Sequence, residues 1–452
     1  MITRGEYYMS MFREYDIRGV VGHDLTDEMI EKIGKAIGTT INGTVLVGND
    51  NRTHGEHVKN IFINALIYTG CDVVDLGTVT SPMLYFASKT LHNKGSVMVT
   101  ASHNPKEYNG FKIIKEGKPL YGEDIYAIGR LAESGNFNHG NGNVSKRNIE
   151  KEYSNYIASK INIQKRINVV LDCGNGTASL FSPEILESMG CSLTKLYCES
   201  DGNFPNHEPD PVVEKNLREM IAKVKEEKAD IGIGFDGDGD RLGIVDEKGN
   251  IIPGDKILII LARDMLKKKK NEKIIYEVKC SMTLEEEIRK NGGIPMMYKT
   301  GHSLIKAKMK EEDASLAGEM SGHFFFKELG FFDDALYAAC RILEIMSETE
   351  KTVSQLLEGI PKTYATPEIR EDCPDNLKKQ VIDELQKRFM KYNPLTIDGV
   401  RINFPDGWGL VRASNTQPVL VLRFEASDET RLNEIRDLIE REVKDVKRNA
   451  CA

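Results

Sequence analysis

One order of structural elements recurs three times along this chain, detectable by pattern rather than by identity. Helical spacing over 25–37, with Asp24 or Thr26 as cap, leads to a strand over 44–47, a helix over 54–68 and a strand over 71–76. A further apolar run, 97–100, ends abruptly at Ala101-Ser102-His103-Asn104-Pro105. The second copy has a strand over 169–173, a helix from Gly176 to Met189, a strand to Tyr197, a helix over 213–225 and a strand over 231–235. The third has strands over 274–278, 296–299 and 315–317, with helices over 284–291 and 303–310. A glycine turn sits at the same place in each copy (TGCDVV, MGCSLT, NGGIPM), and each ends in a distinctive loop: TASHN, DGDGDR or GEMSGH. Strands alternating with helices predict mixed or parallel α/β sheets, whose ligand loops gather at the carboxyl ends of the strands. Three such loops on three similar domains would face one shared cleft.

Length agrees, since 452 residues suggest about three domains, with two to four allowed. Boundaries belong in soft sequence: a Gly- and Asn-rich linker over 134–147, the turn 247–250, and Pro361. The expected domains are therefore 1–147, 148–250, 251–361 and 362–452. The last differs in kind. Strands over 398–404, 409–412 and 419–425 precede a charged helix over 428–447, with Leu432, Ile435, Leu438, Ile439 and Val443 on one side, giving a small α+β cap.

Composition excludes several partners. A net charge of −8 offers no global positive field for nucleic acid or anionic membrane, and the run Lys267 to Lys270 reads as a solvated helix end. No stretch approaches 18 uninterrupted apolar residues, and the N-terminus lacks an apolar signal core. The 8 cysteines form no CxxC pair, and Cys71, Cys173, Cys191 and Cys340 read as small buried hydrophobes. A cytoplasmic protein is expected.

The strongest local chemistry is Asp236, Asp238 and Asp240. Carboxylates alternating with glycine let the backbone curl until three hard oxygens converge on one divalent cation, Mg²⁺ or Ca²⁺. An EF-hand fits poorly, because Arg241 stands where its sharp turn wants glycine and the lead-in IGIGF is a strand. A merely solvated acidic turn stays open as an alternative. Arg241 beside the aspartates suggests an anionic ligand, and Lys112, Lys279 and His302 are further phosphate or proton-transfer candidates. Arg412-Ala-Ser414-Asn415-Thr416-Gln417-Pro418 makes a plausible phosphate nest, or a capped β-turn. Glu319, Ser321 and His323 supply directional contacts suited to sugar hydroxyls, or form a Gly-flanked surface loop. Ser102 lacks the GxSxG elbow of a hydrolase. A serine near a divalent cation and several basic groups suits a phosphorylated serine better, and without kinase or P-loop signatures its phosphoryl donor is not expected to be ATP.

TASHNPKEYNGFK, DGDGDRLG, GEMSGHFFFKE and VRASNTQPVLVLRFEA closely resemble the α-D-phosphohexomutase superfamily, in its bacterial phosphomannomutase/phosphoglucomutase branch, from Phe12 to the final helix. The resemblance implies three topologically similar mixed α/β domains and a C-terminal TATA-binding-protein-like α+β domain, heart-shaped around one cleft. It implies a phosphoserine at Ser102, which ligates Mg²⁺ together with Asp236, Asp238 and Asp240. That phosphate passes between C1 and C6 of mannose or glucose phosphates through a hexose 1,6-bisphosphate, which turns about without being lost. Arg241 and His103 are implied beside the transfer centre, with Arg18 and Lys112 in its charge network, and His323 and Lys112 for proton handling. Glu319 and Ser321 are implied as readers of the sugar hydroxyls. Arg412, Ser414, Asn415 and Thr416 are implied as the distal phosphate clamp, with Tyr15, Lys279 and His302 nearby.

Hexose phosphates are thus the expected partners of a monomer serving carbohydrate metabolism and nucleotide-sugar synthesis. Phosphoglucosamine mutase is the neighbouring alternative, but that branch tends to read GEQSGH and SGTEP where this chain has GEMSGH and SNTQP. A silent sugar-phosphate sensor would be expected to have lost the serine or an aspartate, and all are present. A hinge near Pro361 to Pro367 could open and close the cleft.

Overall fold

Each of the first three units places its distinctive loop by the same device, a parallel strand that ends and returns as an antiparallel neighbour. The computed structural model describes residues 11–414 and 417–450. In the first sheet Gly95–Val99 pairs parallel with Val45–Asn49 and antiparallel with Tyr108–Lys115, so the serine loop lies between the two halves of that return. In the second, Ile231–Phe235 runs parallel to Asn168–Asp172 and returns as Leu242–Asp246, enclosing the aspartate loop. In the third, Leu316–Gly318 runs parallel to Lys273–Glu277 and returns as Phe324–Phe326, enclosing residues 319–323. The fourth sheet is antiparallel, with Val419–Ala426 and Gly407–Ala413 at its centre.

Local chemistry sets the helices between these strands. Thr26 starts the helix Asp27–Ile41 by accepting from Met29 N at 3.3 Å, and Asn42 ends it in the left-handed conformation. Ile30, Ile33, Ile37 and Ile41 then fall on the buried face. The helix Ala335–Thr349, capped by Asp334, is apolar on nearly every side and is buried along most of its length, packed on the second unit as well as the third. One apolar core runs through the first three units, joining Leu46 and Met98 to Ile231, Phe235, Leu258, Phe324 and Leu343. The C-terminal unit keeps its own core, built from Val381, Leu385, Leu422, Phe424, Ile435 and Ile439.

Three departures from the sequence pattern have local causes. The soft segment 134–147 is not wholly a linker, because Val144–Lys146 adds an edge strand parallel to Val73–Thr78. The helix expected from Gly176 to Met189 breaks into a 3₁₀ turn, Thr177–Leu180, and the short helix Ser182–Ser188, with Pro183 in its first turn. The helices Ser81–Thr90 and Asp375–Phe389 are not assigned from sequence at all. The acidic loop between strands excludes an EF-hand. Among the described residues, no helix is long and apolar enough to cross a membrane.

Candidate active site

Ser102 leaves its buried strand in the left-handed region, at φ 52°, a conformation uncommon for a residue with a side chain. This turn brings its Oγ to 2.6 Å from Asp236 Oδ2, donating, and to 3.1 Å from His103 Nδ1. Asp236 Oδ1 accepts from Asp240 N and Arg241 N at 2.9 and 3.0 Å, curling the loop onto its own first carboxylate. Asp238 Oδ2 accepts from Ser81 Oγ and from Lys112 Nζ, and Lys112 also bonds Asp240 Oδ2. All three aspartates are fully buried, and each offers an oxygen within 4.8 Å of the others. Asp238 Oδ1 is buried with no hydrogen-bond partner among the described residues. Three hard oxygens and an orphaned acceptor fit a divalent cation.

Burial sets the electrostatics here, and the charges then sort the groups. Burial, then the charges of Asp238 and Asp240, raises the Asp236 carboxyl well above its ordinary range. Burial also opposes ionisation of Asp240, but Lys112 and His323 outweigh it and hold that carboxyl well below the usual range. Lys112 is itself held firmly as the ammonium, since its two aspartates overcome its burial. His103 is kept neutral by burial and by the neighbouring Arg241 and Arg18. His302 is kept neutral by burial, Lys306 and Lys112. His323 goes the other way despite its burial, raised to about 9 by Asp240 and Glu319.

The remaining loops close around this centre. Glu319 Oε1 accepts from Gly301 N at 2.7 Å, and His323 Nδ1 lies 3.0 Å from Ser321 Oγ and 3.3 Å from Glu319 Oε2. The His302 ring stacks on His323 with centroids 5.5 Å apart, and Tyr15 meets His302 edge-on at 6.2 Å. Gly301, at φ 134°, is required here: a Cβ would stand 2.6 Å from the Tyr15 ring. Arg18 bonds Asp16, Asn104 Oδ1 and the Ala101 carbonyl, bracing the serine loop. Arg241 Nε is buried without a hydrogen-bond partner among the described residues, a fixed donor suited to an anion. From the C-terminal unit, Arg412 Nε donates to Asp398 Oδ2 at 2.9 Å, and the same oxygen accepts from Thr300 N. Lys279 pairs with Glu368 at 2.6 Å. Ser414 Oγ accepts from Gln417 N, while Asn415 and Thr416 lie outside the described residues.

Sequence models of phosphoglucomutase/phosphomannomutase match all four units in order. Alpha/beta/alpha domain I covers residues 9–139, domain II 151–249, domain III 253–364 and the C-terminal domain 368–442. The chain belongs to the phosphoglucomutase/phosphomannomutase family. It is 47% identical to a phosphomannomutase/phosphoglucomutase of Pseudomonas aeruginosa over 444 residues, covering 97% of this chain and 96% of that one. It is 42% identical to a phosphoglucomutase of Neisseria gonorrhoeae, over 94% of this chain and 95% of that one. A crystal structure of a phosphoglucomutase/phosphomannomutase family protein from Burkholderia thailandensis superposes with a TM-score of 0.92 at 40% identity, covering 99% and 98% of the two chains.

Within this family fold the structure gathers Ser102, Lys112, His323 and the three aspartates into one buried cluster, with half-buried His103 and Arg241 at its edge and Glu319, Ser321, His302 and Tyr15 beside it. His302 faces His323 as well as Tyr15, so it sits between the transfer centre and the C-terminal loop rather than only beside the latter. Lys112 bridges Asp238 and Asp240 as their charge partner. The sequence missed Ser81, whose signal was the Thr80-Ser-Pro helix start. It also missed the buried pair Lys306–Asp333, 2.6 Å apart, with Asp333 Oδ2 4.0 Å from His323. Neither member of that pair stands in a distinctive loop.

Proposed function

We propose that this chain interconverts hexose 1-phosphates and hexose 6-phosphates of mannose and glucose, with Ser102 as the phosphate carrier. The observation that carries this reading is Ser102 Oγ held 2.6 Å from one carboxylate of a buried triad that also contains Asp238 and Asp240. Without a bound cation, removing the proton of a hydroxyl aimed into such a cluster would add a further negative charge to it. As a phosphoserine it presents phosphoryl oxygens to cations instead.

Asp236, Asp238, Asp240 and the Ser102 phosphate would hold Mg²⁺. When bound, it supplies neutralisation of charge on the phosphoryl oxygens and lets all three carboxylates stay ionised. The free hydroxyl of the sugar phosphate attacks phosphorus. A new P–O bond forms as the bond to Ser102 Oγ breaks, giving the hexose 1,6-bisphosphate and the serine. His103, neutral and 3.1 Å from Oγ, would take up the proton that the attacking hydroxyl loses and, as the imidazolium, deliver it to Ser102 Oγ as that P–O bond breaks; the second transfer runs the same relay backwards. After the bisphosphate turns about, its other phosphate moves to Ser102 Oγ and the isomeric monophosphate leaves. Added bisphosphate accordingly activates the enzyme by charging Ser102. Glu319 and Ser321 would orient the sugar hydroxyls, and His323, held as a cation, would stabilise the negative charge that develops. Lys279, Arg412, Ser414, Asn415 and Thr416 would hold the distal phosphate, with Tyr15 and His302 at its edge. The domains would divide near 147, 250 and 361. Free, mostly buried thiols suit a reducing cytoplasm, and we take the enzyme as a monomer.

The test is turnover of mannose 1-phosphate, glucose 1-phosphate and glucosamine 1-phosphate by wild type and Ser102→Ala, with Mg²⁺ and a trace of hexose 1,6-bisphosphate. Comparable rates on the first two, lost in the variant, are expected. Dominant turnover of the third would reassign the sugar.

A further inference from the structure

Resting on that reading, we propose that Arg52 is a positioning residue for phosphoryl transfer, holding the backbone of the serine loop so that Ser102 meets the aspartates. Arg52 leaves the strand Val45–Asn49 in the loop Asp50-Asn51-Arg52, and its side chain is fully buried. Every N–H of its guanidinium is used. Nε donates to Asp50 Oδ2 at 3.1 Å; Nη1 to the carbonyls of Pro105 and Tyr108 at 2.7 and 3.1 Å; Nη2 to those of Ser102 and Asn104 at 2.9 and 2.6 Å. Four carbonyls of one loop therefore converge on a single planar fork. A lysine, with three donors on one nitrogen, cannot span them.

The other side of Ser102 is held through the same pair. Asp50 Oδ2 also accepts from Thr100 Oγ1 at 2.6 Å, and that hydroxyl accepts from Ser102 N at 2.8 Å. The left-handed Ser102 is thus gripped at its carbonyl by Arg52 and at its amide, through Thr100, by Asp50. Between them Asn51 fastens the loop to the second unit. Its Nδ2 donates to Asn175 O and Ser200 Oγ, and its backbone N to Thr177 Oγ1 at 3.0 Å. Thr177 N in turn donates to Gly237 O in the aspartate loop at 2.9 Å. One short segment therefore holds Ser102 directly and reaches the aspartate loop through Thr177, although the two loops lie in different units.

A buried ion pair is a weak source of stability, because its desolvation offsets its attraction. What this one supplies is geometry, and a displacement on the order of 1 Å at a reacting atom costs about a hundredfold in rate.

The experiment compares Arg52→Lys with wild type and with Val224→Ala, a core truncation beneath the second sheet chosen as a stability control. Each Mg²⁺-loaded enzyme is charged with glucose 1,6-bisphosphate. Turnover of glucose 1-phosphate and the ³¹P resonance of the phosphoserine are then recorded. Arg52→Lys is expected to lose about a hundredfold in kcat with KM within threefold, and to shift or broaden the ³¹P line. Val224→Ala should keep both near wild type at temperatures where the two variants are equally folded. Should Arg52→Lys fail to fold, Thr100→Val removes the link to Ser102 N alone and should give a smaller kcat loss with the same ³¹P change. The proposal is overturned if the folded variant keeps kcat within threefold, or if Val224→Ala loses as much. A wild type that is charged at Ser102 yet turns over no glucose 1-phosphate would sink the function proposed above, while the ³¹P comparison would still decide the role of Arg52.

Discussion

Lys112 illustrates how a single side chain sets the resting state of the site. Its ammonium bridges Asp238 and Asp240 where all three groups are buried, so it balances charge that the triad cannot carry alone. Removing one member of a buried pair leaves its partners uncompensated, at a cost of about 3–5 kcal/mol. Lys112→Met should therefore lower metal-free stability by that order, and Mg²⁺ should restore more stability to the variant than it adds to wild type. Urea unfolding with and without Mg²⁺ checks this, and an equal Mg²⁺ effect on both would refute it. The variant should also lose about a hundredfold in kcat if the proposed transfer is right. The triad was legible in sequence because its ligands are alternate residues of one loop. The Lys112 contacts were not, because 126 and 128 residues separate it from its two aspartates.

At the scale of elements, two turns can be tested. Gly237 sits where the aspartate loop passes the serine loop, and a Cβ there would stand 2.4 Å from the Ser102 carbonyl. Backbone meets backbone, so neither side yields cheaply. Gly237→Ala should cut kcat by at least about tenfold and weaken Mg²⁺ binding while the far-ultraviolet circular dichroism stays unchanged. Asp334 caps the helix Ala335–Thr349, accepting from Tyr337 N and Tyr153 Oη. Burial nevertheless pushes its carboxyl up to about 7 from the ordinary 3.8. The folded protein then keeps a proton that the unfolded chain releases above pH 3.8, so this group's contribution to stability falls as pH rises towards about 7. Asp334→Asn, which cannot ionise, should gain melting temperature relative to wild type between pH 5 and pH 8. Calorimetry at the two values decides it, and an unchanged difference would contradict the burial argument. The Asp334 cap stands before a strongly apolar run, a start signal open to a sequence reader. Its titration depends on the surrounding core and is not.

One apolar core joins the first three units, the first adds a second core of its own, and the fourth has a separate core that meets the third through Val278, Trp408 and Leu410, so the seam before the fourth unit is the natural place to move. That seam is closed at Glu425, which accepts from Ser281 Oγ and Met282 N of the third unit, Thr363 Oγ1 of the connecting segment and Trp408 Nε1 of the fourth sheet. Glu425→Gln should weaken the junction by about 1.5–3 kcal/mol, the worth of hydrogen bonds to a charged group. Hydrogen exchange should rise first over residues 361–367, and a uniform rise across all four units would argue against a hinge there. From the sequence alone came the repeat, the three loops at equivalent strand ends, the aspartate triad and the distinct C-terminal unit. All of these are patterns carried by neighbouring residues, through periodicity, turn chemistry and ligand spacing. Only the tertiary structure decided that Val144–Lys146 joins a sheet, that Lys112 bridges two aspartates, that burial pushes His103 down while Asp240 and Glu319 push His323 up, and that Arg52 gathers four carbonyls. Each of these depends on burial and on partners from other strands or units, and no local pattern encodes the dielectric or the distances that chain closure creates.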